Sequence, residues 1–380
     1  VYLFDAGRPV GGAGAIARPS LVNRAPSVRV EADVDQALSL LPNPRGFAVV
    51  LGAVSPDFLR SLAACSELDI LVVGDNAQHV AELRGAIPIQ DLYGRRISVH
   101  LANDRRIPVT DYCINLVIDM TESADVADPV AGGNTSWPRA EIERVLAPGR
   151  GVALLADGET FRRPVLEDAG TWTHMYANPS NDANSGEQNL TGEVALQWFG
   201  GPGPSRMIDR HLRGPPPLAI GGRVIMVGEN KLIGVDAYNG TELWELDLPE
   251  SQRYAMPYDA GYIAADETHV YAAVDDAVWV IDAETGERTD RVALPRGVDT
   301  DKFHWGYLAL QDGALFGSVI HAAAPITEVR QTLPDTTYRS SHPLVTSVGL
   351  FKTTPGQRRP DWTRNVGVIV NGTITLRHNR

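Results

Sequence analysis

The spacing of apolar positions changes character near residue 160. Before that point helix-like and strand-like runs alternate. VDQALSLL (residues 34–41) repeats apolar positions at helical spacing, Pro42 and Pro44 stop it, and GFAVVLG (46–52) reads as a short buried strand. SPDFLRSLAACS, DILVVGDN, AQHVAELRGAI, RISVHLAND, CINLVIDM, AEIERVLAPGRG and VALLADGE continue the alternation. This order predicts a doubly wound sheet of parallel strands, because each return helix packs back onto a sheet face. Ligands in such sheets sit beyond the carboxyl ends of the strands. The positions to inspect are therefore 51–57, 74–76, 103–104 and Asp119.

Further along, short strands come in pairs. PLAIGGRVIMVGENKLIGVDAYNGTELWELDLP is followed by GYIAADETHVYAAVDDAVWVIDAETGERTDRVALP, so Asp236 and Asp282 stand 46 positions apart, as do Gly240 and Gly286. Each unit holds a DAxxG turn, in which aspartate accepts backbone amides and glycine supplies a positive φ. A period near 45 residues with four short strands per unit predicts β-propeller blades rather than a sandwich. A third copy is expected over residues 304–362, interrupted by HAAAPITEVRQTLPDTTYRSSHP, and a fourth is expected to begin at VGVIVNGTITLRHNR. The expected division is 1–8 as a closing strand, 9–33 as a linker, 34–158 as the α/β domain, 159–189 as a linker, and 190–380 as propeller repeats in a partial ring.

At 380 residues, 43% of them hydrophobic and 21% charged, the chain is long enough for two domains with full cores. A net charge of -13 argues against nucleic-acid and anionic-membrane surfaces, which need basic clusters. No run of 18 apolar residues exists, so no membrane span is expected. Val1 in place of Met points either to a removed leader or to a piece of a longer product. Cys65 and Cys113 lack the spacing of CxxC metal motifs; two buried thiols are favoured over one bridge.

Residues 46–158 resemble a class I S-adenosylmethionine-dependent methyltransferase domain, and RVLAPGRG (144–151) is similar to that family's late helix-to-strand motif. The resemblance implies a first-strand loop patterned like LGCGDG, whose glycines let the backbone approach the cofactor's methionine part. Here the loop is LGAVSPD. Gly52 stands, but Ala53, Val54, Ser55 and Pro56 replace the rest, and proline removes a backbone donor. An acidic residue for the ribose hydroxyls falls at Gly74 or Asp75, Asn103 and Asp104 lie where the adenine is expected, and Asp119 closes the fourth strand. The resemblance thus marks Gly52, Asp75, Asn103, Asp104 and Asp119 as a degenerate S-adenosylmethionine pocket. For Asp75, Asp104 and Asp119 a helix cap or strand-end turn explains the residue equally well. An NPPY acceptor-site motif is absent after Asp119, so the domain is expected to keep the fold without methyl transfer.

The repeats resemble quinoprotein-like propellers, related to pyrroloquinoline-quinone (PQQ) dehydrogenases and outer-membrane assembly lipoproteins. In that family a tryptophan after the turn packs between blades; Trp244 matches it, Asp290 departs, and Trp362 matches only after an insertion. Together with the linker TWTHMYANPSNDANSG (171–186), the whole is similar to a planctomycete-type fusion of a methyltransferase-like domain with a PQQ-like propeller. That resemblance implies a periplasmic or cell-envelope location. A PQQ dehydrogenase needs bound Ca²⁺. Asp182, Asn184 and Glu187 are a weak calcium candidate, for which turn formation is the simpler explanation. His174, His211, His304 and His321 share no metal-ligand spacing. Trp172, Tyr176, Trp198, Phe199 and Trp305 are read as core between blades rather than cofactor stacking.

These readings converge on an exported binding or scaffold protein with a degenerate methyltransferase-like domain. The enzymatic alternatives are an S-adenosylmethionine-dependent methyltransferase and a PQQ and Ca²⁺-dependent oxidoreductase. Since a ring needs at least four blades, residues 1–5 are expected to pair beside 373–376, or other chains or the remainder of a larger propeller to complete it.

Overall fold

The structure is a computed structural model that describes residues 28–87, 92–102, 104–121, 137–208, 216–249, 251, 261–322, 346–357 and 359–377. The chain divides into two compact units, Val1–Leu166 and Glu167–Arg380.

The first unit runs α1 (Val28–Leu38), β1 (Arg45–Leu51), α2 (Pro56–Ala64), β2 (Glu67–Gly74), α3 (Ala77–Ala86), β3 (Ile97–Leu101), β4 (Leu116–Asp119), α4 (Arg139–Val145), β5 (Val152–Leu154) and β6 (Thr160–Arg162). Its sheet has the order β3-β2-β1-β4-β5-β6, with the first five strands parallel and β6 antiparallel to β5. Strand periodicity splits the core in two. Ala48, Val50, Ile70 and Val72 face Phe58, Leu59 and Leu62, while Val49, Leu51, Leu71 and Val73 face Ile142, Val145 and Leu146. The α/β alternation read from the sequence is therefore the observed one.

Two expected boundaries move. Helix α1 begins at Val28, inside the stretch 9–33 read as linker, and Glu31 in its first turn suits the positive end of the helix dipole. Strand β6 lies inside the stretch 159–189 read as linker. A tight turn creates it: Gly158 adopts φ +84°, and Asp157 accepts the Glu159 amide at 2.9 Å. The two cysteines form no disulfide, and neither is fully buried; Cys65 caps the C-terminus of α2 beyond its buried face and is exposed, and Cys113 is half-buried.

The second unit contains three antiparallel four-stranded meanders among the described residues. The first is β7 (Leu218–Ile220), β8 (Arg223–Gly228), β9 (Lys231–Asp236) and β10 (Glu242–Asp247). The second is β11 (Ile263–Ala265), β12 (His269–Val274), β13 (Ala277–Asp282) and β14 (Arg288–Ala293). The third is β15 (Phe303–Gln311), β16 (Ala314–His321), β17 (Thr346–Thr353) and β18 (Trp362–Val370). Burial falls from the inner strands outward: β12 is almost wholly buried, whereas β14 is exposed at five of six positions.

The repeated turns behave as their spacing predicts. Asp236 accepts the amides of Tyr238 and Asn239, Asp282 those of Glu284 and Thr285, and Gly240 and Gly286 take φ +73° and +75°. Trp244 then docks on the next meander, its indole N–H donating to the Ala283 carbonyl at 3.0 Å. A Cβ on Gly286 would lie 2.6 Å from the Trp244 ring, so only glycine admits the contact.

The expected fourth copy does not begin at residue 366. Residues 366–370 complete β18, where Ser347 pairs with Ile369 and Thr346 with Val370. The long β17 demands an equally long partner, and VGVIV supplies its end. The expectation that 373–376 pair with 1–5 has one half outside the described residues. On the described side, Leu376 donates to the Pro179 carbonyl, Ser180 to the Leu376 carbonyl and Asn181 to the Ile374 carbonyl. The stretch once read as linker thus holds the final residues of the described chain.

Candidate functional site

Parallel pairing sets the carboxyl ends of β3, β2, β1 and β4 side by side along one edge, as the alternation predicts. Strand order reverses between β1 and β4, and a doubly wound sheet opens its ligand crevice at such a reversal. Here Gly52 and Thr121 meet at that point. Gly52 has φ +87°, donates to the Val73 carbonyl at 3.0 Å, and a Cβ on it would lie 2.8 Å from Thr121 Cγ2 and 2.9 Å from the Thr121 nitrogen. The requirement for glycine therefore comes from the chain's own β4 exit.

The rest of the loop is spent locally. Val54 is buried in the core with Phe58 and Leu59. Ser55 caps α2 by accepting the Phe58 amide at 3.2 Å, and Pro56 occupies the first helical turn, where its missing N–H costs the helix nothing but withholds a donor from the strand exit. A side chain in the core, a hydroxyl on the helix end and an imide stand where the cofactor loop of the resemblance has bare backbone. These residues do not fit the methionine part of S-adenosylmethionine.

The acidic candidates are dispersed. Asp75 is exposed at the end of β2, and the neighbouring Asn76, not Asp75, caps α3 by accepting the Gln78 and His79 amides at 2.9 and 3.0 Å. Asp104 is exposed and accepts the Arg106 amide in a strand-end turn. Asp119 is buried, and its Oδ1 accepts both the Thr121 amide at 3.1 Å and the Thr121 hydroxyl at 2.7 Å. Asn103 lies outside the described residues.

The calcium candidates are likewise engaged by the chain. Asp182 accepts from Asn178 Nδ2 at 2.6 Å and from the Asn184 amide at 3.0 Å, and the Asn184 side chain accepts the Gly186 amide. Glu187 accepts the amides of Gly170, Asn189 and Leu190, and these bonds, that from Gly170 foremost, hold its carboxyl below the usual carboxylate range. Among the described residues no group of three or more His, Cys, Asp or Glu is placed to hold a metal.

The histidines serve separate purposes, and His211 lies outside the described residues. His304 and Phe303 occupy successive positions of β15, and His321 pairs with Phe303, so pleating puts the two imidazoles on opposite faces. His174 is only 5% exposed. Its Nε2 accepts the Leu310 amide of β15 at 3.0 Å, its backbone bridges to Ala264 of β11, and burial pushes its pKa down to about 4. With Trp172, which bridges to Ala219 of β7, it fastens residues 172–177 to the inner strands. No spacing in the sequence signals that role. Arg144 was also missed: it binds Glu141, Asp111 and the carbonyls of Ile107 and Val109, tying α4 to the loop after β3, and its guanidinium lowers the Glu141 pKa. The i,i+3 spacing of Glu141 and Arg144 was the available signal.

Solved structures of both classes named by the resemblance are similar to this chain. A Methanococcus maripaludis protein provisionally named as an S-adenosyl-L-methionine-dependent methyltransferase is 21% identical, over 33% of this chain and 55% of that one, with a TM-score of 0.25. Geranyl diphosphate C-methyltransferase from Streptomyces coelicolor is 12% identical over 32% and 43%, with a TM-score of 0.25. The quinohemoprotein alcohol dehydrogenase of Comamonas testosteroni is 12% identical over 52% and 28%, with a TM-score of 0.35. The chain thus spans about half or less of the length of each. No family model matches the chain. No curated protein matches it. Among the described residues no helix is long and apolar enough to cross a membrane.

Proposed function

We propose that this chain is an exported binding or scaffold protein, with an α/β unit that retains a doubly wound fold without methyl transfer and propeller-like repeats that carry contacts with other molecules. The observation that supports the reading is the close approach at the β1 and β4 exits, where a Cβ on Gly52 would lie 2.8 Å from Thr121 Cγ2. Val54 in the core and Ser55 on the helix end support it, since reopening the loop would expose an apolar side chain and uncap α2.

The test is incubation of the whole protein with methyl-labelled S-adenosylmethionine and a panel of amine, hydroxyl and carbon acceptors. The expected outcome is no label in any acceptor, and transfer above the protein-free rate would overturn the reading. Reconstitution with PQQ and Ca²⁺ is expected to give neither a cofactor absorbance nor dye reduction. Cell fractionation is expected to place the protein outside the cytoplasm; recovery in the cytosol contradicts that part.

A further inference from the structure

Residues 172–181 run as a strap within the second unit. Trp172 exchanges backbone hydrogen bonds with Ala219 of β7, both at 2.8 Å, and the Thr173 carbonyl accepts the Ala265 amide after β11's Ala264 at 2.9 Å. His174 bridges to Ala264 and accepts the Leu310 amide of β15 on its Nε2 at 3.0 Å. Three successive residues therefore tie together the first strands of the three meanders. The far end of the strap meets residues 374–376. Leu376 donates to the Pro179 carbonyl at 2.8 Å, Ser180 Oγ to the Leu376 carbonyl at 3.0 Å and Asn181 Nδ2 to the Ile374 carbonyl at 2.8 Å.

Among these bonds, the one at the His174 ring can be switched by a proton. Because Nε2 accepts, the ring proton sits on Nδ1 and is donated to Thr173 Oγ1 at 2.7 Å, while that hydroxyl donates to the Ala177 carbonyl at 3.2 Å. Both ring nitrogens are thus committed to the neutral form. A second proton on Nε2 would set two donors face to face around a buried charge. Neither β7 nor β11 carries a titratable side chain, β15 carries His304 and Tyr307, and the strap carries Tyr176. Tyr262 and Asp266 flank β11, and Asp312 follows β15. None of these groups bonds the His174 ring, and the Asp266 carboxylate is taken up by Thr268, His269 and Tyr271.

We infer that residues 172–181 are an acid-released strap: a proton on His174 Nε2 breaks the bond from Leu310, and the strap leaves the three first strands, loosening residues 374–376, while the meanders stay folded. Release bares the amides of Ala219, Ala265 and Leu310. Burial holds the docked ring neutral down to about pH 4, against an ordinary value of 6.5. Docking is therefore fully favoured above about pH 6.5 and weakens as pH falls toward 4, by at most about 300-fold. What the α/β unit binds has no bearing on this release.

The test is hydrogen-exchange mass spectrometry of the whole protein at pH 7 and pH 4.5, corrected for the intrinsic pH dependence of exchange. Peptides covering 172–181 and 374–376 are expected to lose protection together at pH 4.5, by at least about tenfold, while those covering β12 and β16 keep theirs. His174→Gln keeps an acceptor for the Leu310 amide and does not titrate, so its strap is expected to stay protected at both pH values. Circular dichroism checks that this variant is folded; should it not be, the wild-type comparison decides. An unchanged strap at pH 4.5 overturns the inference. So does loss of protection in β12 and β16 alongside it, which is global unfolding, or a strap that opens while 374–376 stays protected. A folded His174→Gln protein that responds to acid as the wild type does also overturns it, by placing the switch on another group.

Discussion

Gly52 and Gly286 are alike as residues and opposite in meaning. Both hold a positive φ, and at both a Cβ would come within 3 Å of a neighbour. At Gly286 the neighbour is Trp244, a side chain from the adjoining meander, so the glycine marks an interface that joins two repeats. At Gly52 the neighbour is Thr121, at the exit of the adjoining strand, so the glycine marks a close approach between two strands of one sheet. A glycine at a predicted ligand loop thus gains its meaning from what approaches it.

The largest expected effect breaks the first half of the comparison. Trp244→Ala removes a ring that is 6% exposed and its bond to Ala283, and is expected to destabilise the β unit by about 3–5 kcal/mol. Urea denaturation followed by tryptophan fluorescence reads this unit, because six of the seven tryptophans lie in it. Gly286→Ala should be costly alone and should cost only the strain of its φ, about 1–3 kcal/mol, in the Trp244→Ala background. An additive double variant would deny that ring and glycine act through each other.

His174 gives the next effect and concerns the same unit. Its folded pKa, about 4, lies below the ordinary histidine value of 6.5, so the unfolded chain binds the extra proton between those values. The contribution of neutral His174 is fully present above about pH 6.5 and is lost as pH falls toward 4. The loss amounts to about 3 kcal/mol at most. His174→Gln should flatten the pH dependence of stability in that window, and an unchanged slope would place the acid sensitivity elsewhere.

Smaller effects sharpen the second half. Gly52→Ala should destabilise the α/β unit by about 1–3 kcal/mol through strain and the Thr121 contact, with no ligand present. Hydrogen exchange of β1 and β4 reads the loss locally. Thr121→Ala is expected to cost only about 1 kcal/mol, the worth of its hydroxyl bond to Asp119, and to relieve part of the Gly52→Ala penalty. Equal destabilisation by Gly52→Ala in both backgrounds would dissociate the glycine from Thr121.

The order of strands and helices in the first unit was legible because the central strands β1, β2 and β4 are buried on both faces and the return helices α2, α3 and α4 each bury apolar residues, a pattern that survives without any contact being known. The DAxxG turns were legible for a similar reason: their chemistry is local, confined to an aspartate and a glycine four residues on. What failed was pairing over distance. Nothing in VGVIV says that it finishes β18 rather than opening a new repeat; that follows from the length of β17, across the hairpin. The departure at Asp290 became intelligible in the same way. A docking tryptophan there would need a DAxxG turn on the third meander, and between β17 and β18 the sequence reads TPGQRRPD in its place. His174 was illegible because its acceptor role is fixed by an amide 136 positions away.

The proposed loss of cofactor binding is tested most directly by isothermal titration calorimetry of the whole protein with S-adenosylmethionine and, separately, S-adenosylhomocysteine. The account predicts no saturable heat with either ligand at millimolar concentration. Stoichiometric binding in the micromolar range would contradict it.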